Sequence, residues 1–425
     1  MRRILSAALF LALAPPVLAE ESEQNYLPEH RFRIYYNLSN GKVHDPDSIA
    51  GWALSYSELL HVGADNFILG RHPEEQSPGE RLLRFGGATL LLLALEIPSS
   101  FATHEYGHFR MDSVAGMYKP IFGSDRDDDY AFVSTPFNAY LTAFETAATG
   151  GFNTYHASQQ ASELAELLSD PKRAPHALQF DIMVEAGGLN MSQYTAEMLS
   201  QKILDGDGQC LDVVTYGCHA LDTITYVNSG GGDIGDYADL LEKLGIKTSH
   251  SEIRIVSQVP KLIGNSTISL LIGMVGYIAT GDRRIDPLGQ KFGPVKVLWP
   301  EFASYLTLQG PTIKLIEQVD IGKQHFYLTA EKPLPKNMIE GGIGWRGDIC
   351  KYFGAEVYAV HNFDTGGNWF EGGPVVRPCE WFAFGVKGYY GSGYTLRREI
   401  AGSVPDFMEE KEAGLKGFVE LNLKF

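Results

Sequence analysis

Apolar residues recur every three to four positions along much of the chain between residues 48 and 240, which is the spacing of helices that each bury one face. The clearest segments are 81–97, 135–148, 156–170 and 189–204. A later apolar run, 266–280, is interrupted by Ser, Thr and Gly and is shorter than the roughly 20 residues of a membrane-spanning helix, so it predicts a buried helix. We therefore expect a mainly helical, metal-binding domain over residues 20–285.

After Pro294 the apolar pattern changes to a period of two. Phe326, Leu328 and Ala330, for example, alternate with more polar neighbours, and Gly, Pro, Asp and Asn separate the successive segments. We count about eight such segments before the chain ends, each about ten residues long. The pattern predicts an antiparallel β-domain over residues 290–425 and an α+β fold class for the whole chain.

The last segment has a pattern of its own. Val419, Leu421 and Leu423 alternate with polar residues, and the chain ends on Phe425. This resembles the C-terminal signature of bacterial outer-membrane β-barrels, in which a terminal Phe follows alternating apolar positions. The resemblance implies a barrel of about eight strands with an apolar outer face in contact with outer-membrane lipid. The alternative is a soluble β-sandwich, whose terminal strand would alternate because one face lies in the core.

The first residues have the three parts of a secretory signal peptide. Arg2 and Arg3 precede an apolar stretch, and the small residue Ala19 suits a peptidase that cuts before Glu20. We therefore expect residues 1–19 to be a signal peptide and the protein to be exported, to the outer membrane or alternatively to the periplasm. The net charge of −17 argues against a nucleic-acid partner.

The cysteines number four, an even count that suits an oxidising compartment. Their proximity in sequence suggests the pairs Cys210–Cys218 and Cys350–Cys379, although other connectivities are open. A zinc site made of four thiolates is the competing interpretation, but the chain contains no CxxC spacing.

Residues 101–110 read FATHEYGHFR and contain the HExxH pattern in His104, Glu105 and His108. Positions four apart share one face of a helix, so both imidazoles can reach one cation, while Glu105 can address the water that the metal activates. Zinc suits two neutral imidazoles and a carboxylate, and it lowers the pKa of water toward about 7. We expect the motif helix to restart after Pro98. The alternative is a helix whose histidines are ordinary core or surface residues.

With Gly107 the motif takes the form HExGH, which resembles the motif of several gluzincin-like zinc metallopeptidase families, notably integral-membrane ones. There the glycine lets a neighbouring helix approach closely. The resemblance covers five residues. It implies that His104 and His108 are zinc ligands and that Glu105 is the general base, which activates water and then protonates the leaving amine.

The third ligand in the gluzincin pattern is a Glu on a later helix. We choose Glu185, because Gly187 and Gly188 would let its segment press against the motif helix. The competing candidates are Glu197, His156, His176, Glu145 and Asp181. A group that stabilises an oxyanion is also needed, and Tyr194 or His219 could serve.

Together these features predict a zinc-dependent hydrolase of the outer membrane or periplasm, a peptidase acting on protein or peptide substrates. Two other functions stay open. One is a non-catalytic outer-membrane structural or assembly protein with a relic or structural metal site. The other is a lipid- or ester-cleaving enzyme that uses the same activated water, since the apolar helices around the motif could admit acyl chains.

Overall fold

The structure is a computed structural model and describes residues 29–38, 46–70, 72–115, 176–229, 232–400 and 411–424. The helices are α1 (Pro46–Ala64), α2 (Pro78–Ala115), α3 (Ala177–Leu204), α4 (Asp212–Ser229), α5 (Asp233–Lys243), α6 (His250–Ile263), α7 (Asn265–Thr280) and α8 (Leu396–Ile400). The predicted signal peptide and the predicted helices 135–148 and 156–170 lie outside the described residues.

Antiparallel strands make up most of the chain after residue 289. The strands are β1 (Glu29–Asn37), β2 (Gly208–Gln209), β3 (Arg284–Ile285), β4 (Gly289–Phe292), β5 (Val295–Leu298), β6 (Glu301–Thr307), β7 (Gly310–Ile321), β8 (Gln324–Pro333), β9 (Glu340–Cys350), β10 (Phe353–Asn362), β11 (Asn368–Cys379), β12 (Phe382–Ser392) and β13 (Glu412–Lys424). The large sheet has the order β1-β13-β12-β11-β10-β9-β8-β7-β5-β4, and β6 also pairs with β7. The α+β fold class is thereby confirmed.

The two faces of this sheet differ in polarity. On β13 the carboxylate residue Glu420 is 2% exposed, whereas Val419 beside it is 46% exposed. Neighbouring strands follow the same rule, with Phe384 and Leu328 exposed and Lys314 buried. A soluble β-sandwich buries its apolar face and exposes its polar one. This sheet instead exposes many apolar residues, and its buried face mixes charged residues with apolar ones such as Trp369 and Phe418.

The buried face of the sheet is covered by paired charges. Lys314 donates to Glu197 of α3 at 2.9 Å, and Arg33 donates to Glu356 at 3.2 Å. These pairs line a cavity of about 80 Å³ between α3 and the sheet. Buried charges are tolerated when each has a partner of opposite sign and a hydrogen bond, and this face meets that condition.

Helices pack against β1 at one end of the sheet and against β6, which pairs with β7 near the other end. Along β1, the Ser48 hydroxyl of α1 donates to the carbonyl of Tyr35 at 2.9 Å, and Gly51 lets the helix approach so closely that a Cβ there would lie 2.7 Å from the Arg33 carbonyl oxygen. At the other end, the Asn190 side chain of α3 donates to the Leu306 carbonyl of β6 at 2.7 Å and accepts from its N–H at 2.8 Å. Such contacts satisfy backbone groups that an open sheet leaves unpaired.

Two expectations need correction. The predicted closed barrel of about eight strands is not formed by the described residues, whose sheet has 11 strands and ends at β1 and β4. The added strand β1 precedes the helices and has no neighbouring strand in the sequence, so no strand pattern predicted it.

The motif helix also does not restart at Pro98, because α2 runs unbroken through it. An internal proline costs about 3 kcal/mol, and the packing of this long helix against α3 and α4 offsets that loss.

The expected disulfides are not formed, since all four cysteines are free thiols. Cys350 and Cys379 end β9 and β11, which lie on either side of β10. Two strand spacings are about 9.5 Å, beyond the roughly 7 Å that a disulfide can bridge between Cα atoms. Cys210 precedes α4, and Cys218 lies almost two turns along that helix.

Candidate metal centre

The two histidines of the motif lie where α2 crosses α3, and glycines make the crossing possible. A Cβ on Gly107 would lie 2.2 Å from the carbonyl oxygen of Gly187, and a Cβ on Gly187 would lie 2.8 Å from that of Gly107. Real Cβ contacts are essentially never this short. The expectation that these glycines let the two helices approach is confirmed.

Three ligand atoms converge beside this crossing. The Nε2 atoms of His104 and His108 lie 3.1 Å apart, and each faces Oδ2 of Asp233, at 3.0 and 3.1 Å. Asp233 is the first residue of α5. Tetrahedral zinc with ligands at about 2.05 Å separates its ligand atoms by about 3.3 Å. The three atoms therefore already have nearly the spacing of three corners of a zinc site.

The opposite nitrogen of each imidazole is held in place. His108 Nδ1 lies 2.7 Å from the carbonyl oxygen of Val184, which can only accept, so this nitrogen carries the hydrogen. His104 Nδ1 lies 2.9 Å from Oδ2 of Asp222, which also accepts a hydrogen bond from the Ser192 hydroxyl at 2.5 Å. In the neutral imidazoles both Nε2 atoms are consequently lone-pair acceptors.

This arrangement needs positive charge. With both imidazoles neutral, two lone pairs and a carboxylate oxygen would face one another in a buried place, where repulsion is costly. Either protons on the rings or a metal ion can supply the charge: burial lowers the pKa of His108, but Asp233 outweighs it and raises that pKa to about 9. Histidines that bind metals nearly always donate their other N–H to a carboxylate or a carbonyl, as His104 and His108 do here. The residues present therefore fit a zinc ion by spacing, by donor type and by hydrogen bonding.

Glu105, the predicted base, follows His104 on α2 and is half-buried. Glu185, the predicted third ligand, is not one of the three converging residues; in the described part of the chain Asp233 takes that position. Glu185 directly follows Val184, whose carbonyl oxygen faces Nδ1 of His108.

The two carboxyls near His108 differ in their pKa. Burial raises the pKa of Glu185 to about 7, although the nearby His108 opposes this shift. Burial would also raise the pKa of Asp233, but the imidazoles of His108 and His104 outweigh it and hold that pKa below its usual range. Asp233 is thus an anion beside the imidazoles, and a zinc ion at this position would compete with protons for the two rings.

Asp233 was not among the residues predicted from the sequence, where it directly follows the Gly-rich run NSGGG. Asp233 and Asp236 occupy the first turn of α5. Acids are common there because they complement the helix dipole, so the residue carried no separate signal. His108 and Asp233 are 125 positions apart, so only the tertiary fold brings them together.

The other sequence candidates lie elsewhere. The Tyr194 hydroxyl bonds to Asp47 and accepts from Arg397 at 3.2 Å. Glu197 pairs with Lys314. Tyr194 and Glu197 therefore belong to the charged face under the sheet.

His219 of α4 is fully buried, and neither ring nitrogen has a hydrogen-bond partner within the described residues. His176 is the N-cap of α3. Asp181 lies on α3 near enough to raise the pKa of Glu185. His156 and Glu145 lie outside the described residues.

A second group of ligand-type residues, Glu58, His61 and Asp212, is buried between α1 and α4. Here Lys202 of α3 bonds to Glu58 and lies 3.1 Å from Oδ1 of Asp212. The ammonium group of Lys202 supplies the positive charge that these carboxylates need, so the three residues require no metal ion to balance their charge.

No protein-family model, curated protein or solved structure matches this chain.

Proposed function

We propose that the protein is a zinc-dependent hydrolase, a peptidase, whose metal is held by His104, His108 and Asp233. The observation that carries the proposal is the convergence of three lone-pair atoms at 3.0–3.1 Å, with the far nitrogen of each imidazole fixed by Asp222 or by the Val184 carbonyl. Both imidazoles are thereby oriented with Nε2 toward one point beside Asp233.

Each residue then has a defined task. Zinc, when bound, polarises a substrate carbonyl and lowers the pKa of water toward about 7. Glu105 would be the group that accepts a proton from the attacking water and returns it to the leaving amine. Asp222 keeps the hydrogen of His104 on Nδ1, so that Nε2 faces the metal. Gly188 keeps the space in front of both Nε2 atoms open.

The test is to compare the wild-type protein with Glu105→Gln. We expect the variant to bind zinc as the wild type does and to hydrolyse no peptide, because only the proton acceptor has been removed. Peptide hydrolysis by the variant at the wild-type rate would contradict the role of Glu105. A lipid-ester panel run beside the peptides separates the peptidase from an ester hydrolase.

We further propose that the protein resides in the outer membrane, with the outer face of the sheet in contact with lipid. The support is the polarity of the sheet, with apolar residues exposed and paired charges inside, which is the pattern of outer-membrane strands. β12, with 11 residues, would cross a band of roughly 25 Å when tilted. Recovery from outer-membrane fractions only with detergent is expected; recovery as a freely soluble protein would contradict the proposal.

A further inference from the structure

The outward side of α2 is apolar over several turns. Between residues 82 and 97 its exposed positions are Leu82, Leu83, Gly87, Leu90, Leu91, Ala94 and Ile97. The charged residues of this stretch are Arg84, which pairs with Glu80 at 2.8 Å where the stretch begins, and Glu96, which is buried. A helix on the surface of a water-soluble protein presents polar residues on this side.

The α6–α7 pair repeats this feature. From residue 255 to residue 279 its exposed positions are Ile255, Val259, Leu262, Ile263, Leu271, Ile272, Val275 and Ala279. Lys261, a charged residue in the same stretch, is buried. By length and composition α2 could cross a membrane, and α6–α7 could form a second span if the two helices, which meet at 47°, are taken together.

Exposed apolar residues are not a general property of the helices. On α5 the exposed residues include Asp236, Asp239 and Glu242, which is the ordinary surface of a helix in water. The exposed residues of α5 are thus polar, whereas those of α2, α6 and α7 are mostly apolar. This difference indicates that the helices face different surroundings.

We propose that α2, α6 and α7 continue the lipid-facing wall of the sheet, and that the occupant of their outer faces is the acyl chains of the membrane. This inference rests on the proposed membrane location. Two arguments favour acyl chains over a second protein copy. The apolar stretch of α2 is about 22 Å long, close to the band of roughly 25 Å on outer-membrane strands. The sheet also carries exposed apolar residues, such as Phe326 and Leu328 of β8, and it packs against α6 through β6 and β7.

In this arrangement the metal centre lies at a defined distance from the apolar band. His104 follows Ile97 by seven residues, or about 10 Å along the helix, so the site lies beyond the apolar band. The Tyr237 hydroxyl of α5 donates to the Thr307 carbonyl at 2.7 Å, which places α5 at the β6–β7 turn. The hydrolytic site would thus lie in the aqueous layer at that end of the sheet.

The test uses the zinc-loaded, full-length protein in vesicles of phosphatidylethanolamine and phosphatidylglycerol. The vesicles also contain a phospholipid with a diazirine in its acyl chain, and cross-linked peptides are mapped by mass spectrometry after illumination. We expect adducts on residues 82–97, on residues 255–279 and on the outer face of β12, and none on α5. Adducts on β12 alone would overturn the helical part of the wall and leave the membrane location standing. Adducts on neither would contradict the membrane location itself.

A pair of variants provides an independent measurement. Leu90→Lys places a charge in the proposed acyl-chain contact, whereas Asp239→Lys makes the matched change on α5. We expect Leu90→Lys to lower the fraction of protein that floats with vesicles by at least about tenfold and Asp239→Lys to leave it unchanged. Equal flotation of the two variants would refute the inference. The zinc content of each variant reports whether it has folded.

Discussion

Gly188→Ala tests the metal centre most directly, because its effect follows from two distances. The added methyl carbon would lie 2.4 Å from His108 Nε2 and 2.6 Å from His104 Nε2. Ordinary contact begins at 3.4 Å, so the imidazoles or α3 must move by about 0.8–1 Å. A zinc site tolerates errors of only about 0.2 Å in its ligand distances.

We therefore expect Gly188→Ala to weaken zinc binding by at least about 100-fold, more than the loss of an outer hydrogen-bond partner does. Its effect on folding should be smaller, about 1–3 kcal/mol, which is the usual cost of an extra methyl group in a packed interior. Zinc content after dialysis against a graded chelator measures the first effect, and thermal unfolding of the metal-free protein measures the second.

The matched control is Gly86→Ala, on α2, where an added Cβ would meet nothing within 4 Å. This variant should retain zinc and activity. If Gly188→Ala bound zinc as tightly as Gly86→Ala, the space in front of the two Nε2 atoms would not be the metal position, and the proposed site would have to be abandoned.

Three further outcomes are expected. Asp233→Asn should lower zinc affinity by at least about 100-fold while Glu185→Gln retains it, and the opposite result in a zinc titration would restore Glu185 as the third ligand. Asp222→Asn should cost about 10–100-fold in zinc affinity, and an unchanged affinity would mean that its contact with His104 does not orient the ring. Burial raises the pKa of Glu399 on α8 to about 7 from 4.5, although its hydrogen bonds oppose this shift. The folded chain thus keeps a proton that the unfolded chain releases, so stability should fall as pH rises from about 4.5 to about 7 and then level off. Unfolding of Glu399→Gln across this window should show a shallower fall, and an identical fall would exclude Glu399 as a source.

The sequence made the local part of the site predictable and left the long-range part open. His104 and His108 are four residues apart, so the helical period alone places them on one face, and Gly107 signals a close helix neighbour. Asp233 reaches them only through the packing of α5 against α3, which no local pattern encodes. The strands show the same division, since alternation identified β13 but not its pairing with the distant β1.

The polarity of the sheet is also explained by a long-range effect. Alternation of apolar and polar residues shows that the two faces of a strand differ, but it does not show which face is buried. Here the buried face is decided by partners such as Glu420, which accepts from Arg33 at 2.6 Å, and these partners come from opposite ends of the chain. Alternation alone therefore could not predict which face of the sheet is buried.

In the proposed hydrolase, the position of α5 would limit how a substrate reaches the metal. Seven residues fall about 20° short of two helical turns, so His104 lies nearly in line with the exposed Ile97 of α2, yet His104 is fully buried. Asp233 of α5 contacts His104 there, so α5 covers the ring and would also supply the proposed third ligand. A substrate that displaced α5 would then remove that carboxylate. Glu105 is half-buried, so we expect the substrate to enter on its side, where the proton acceptor meets it first.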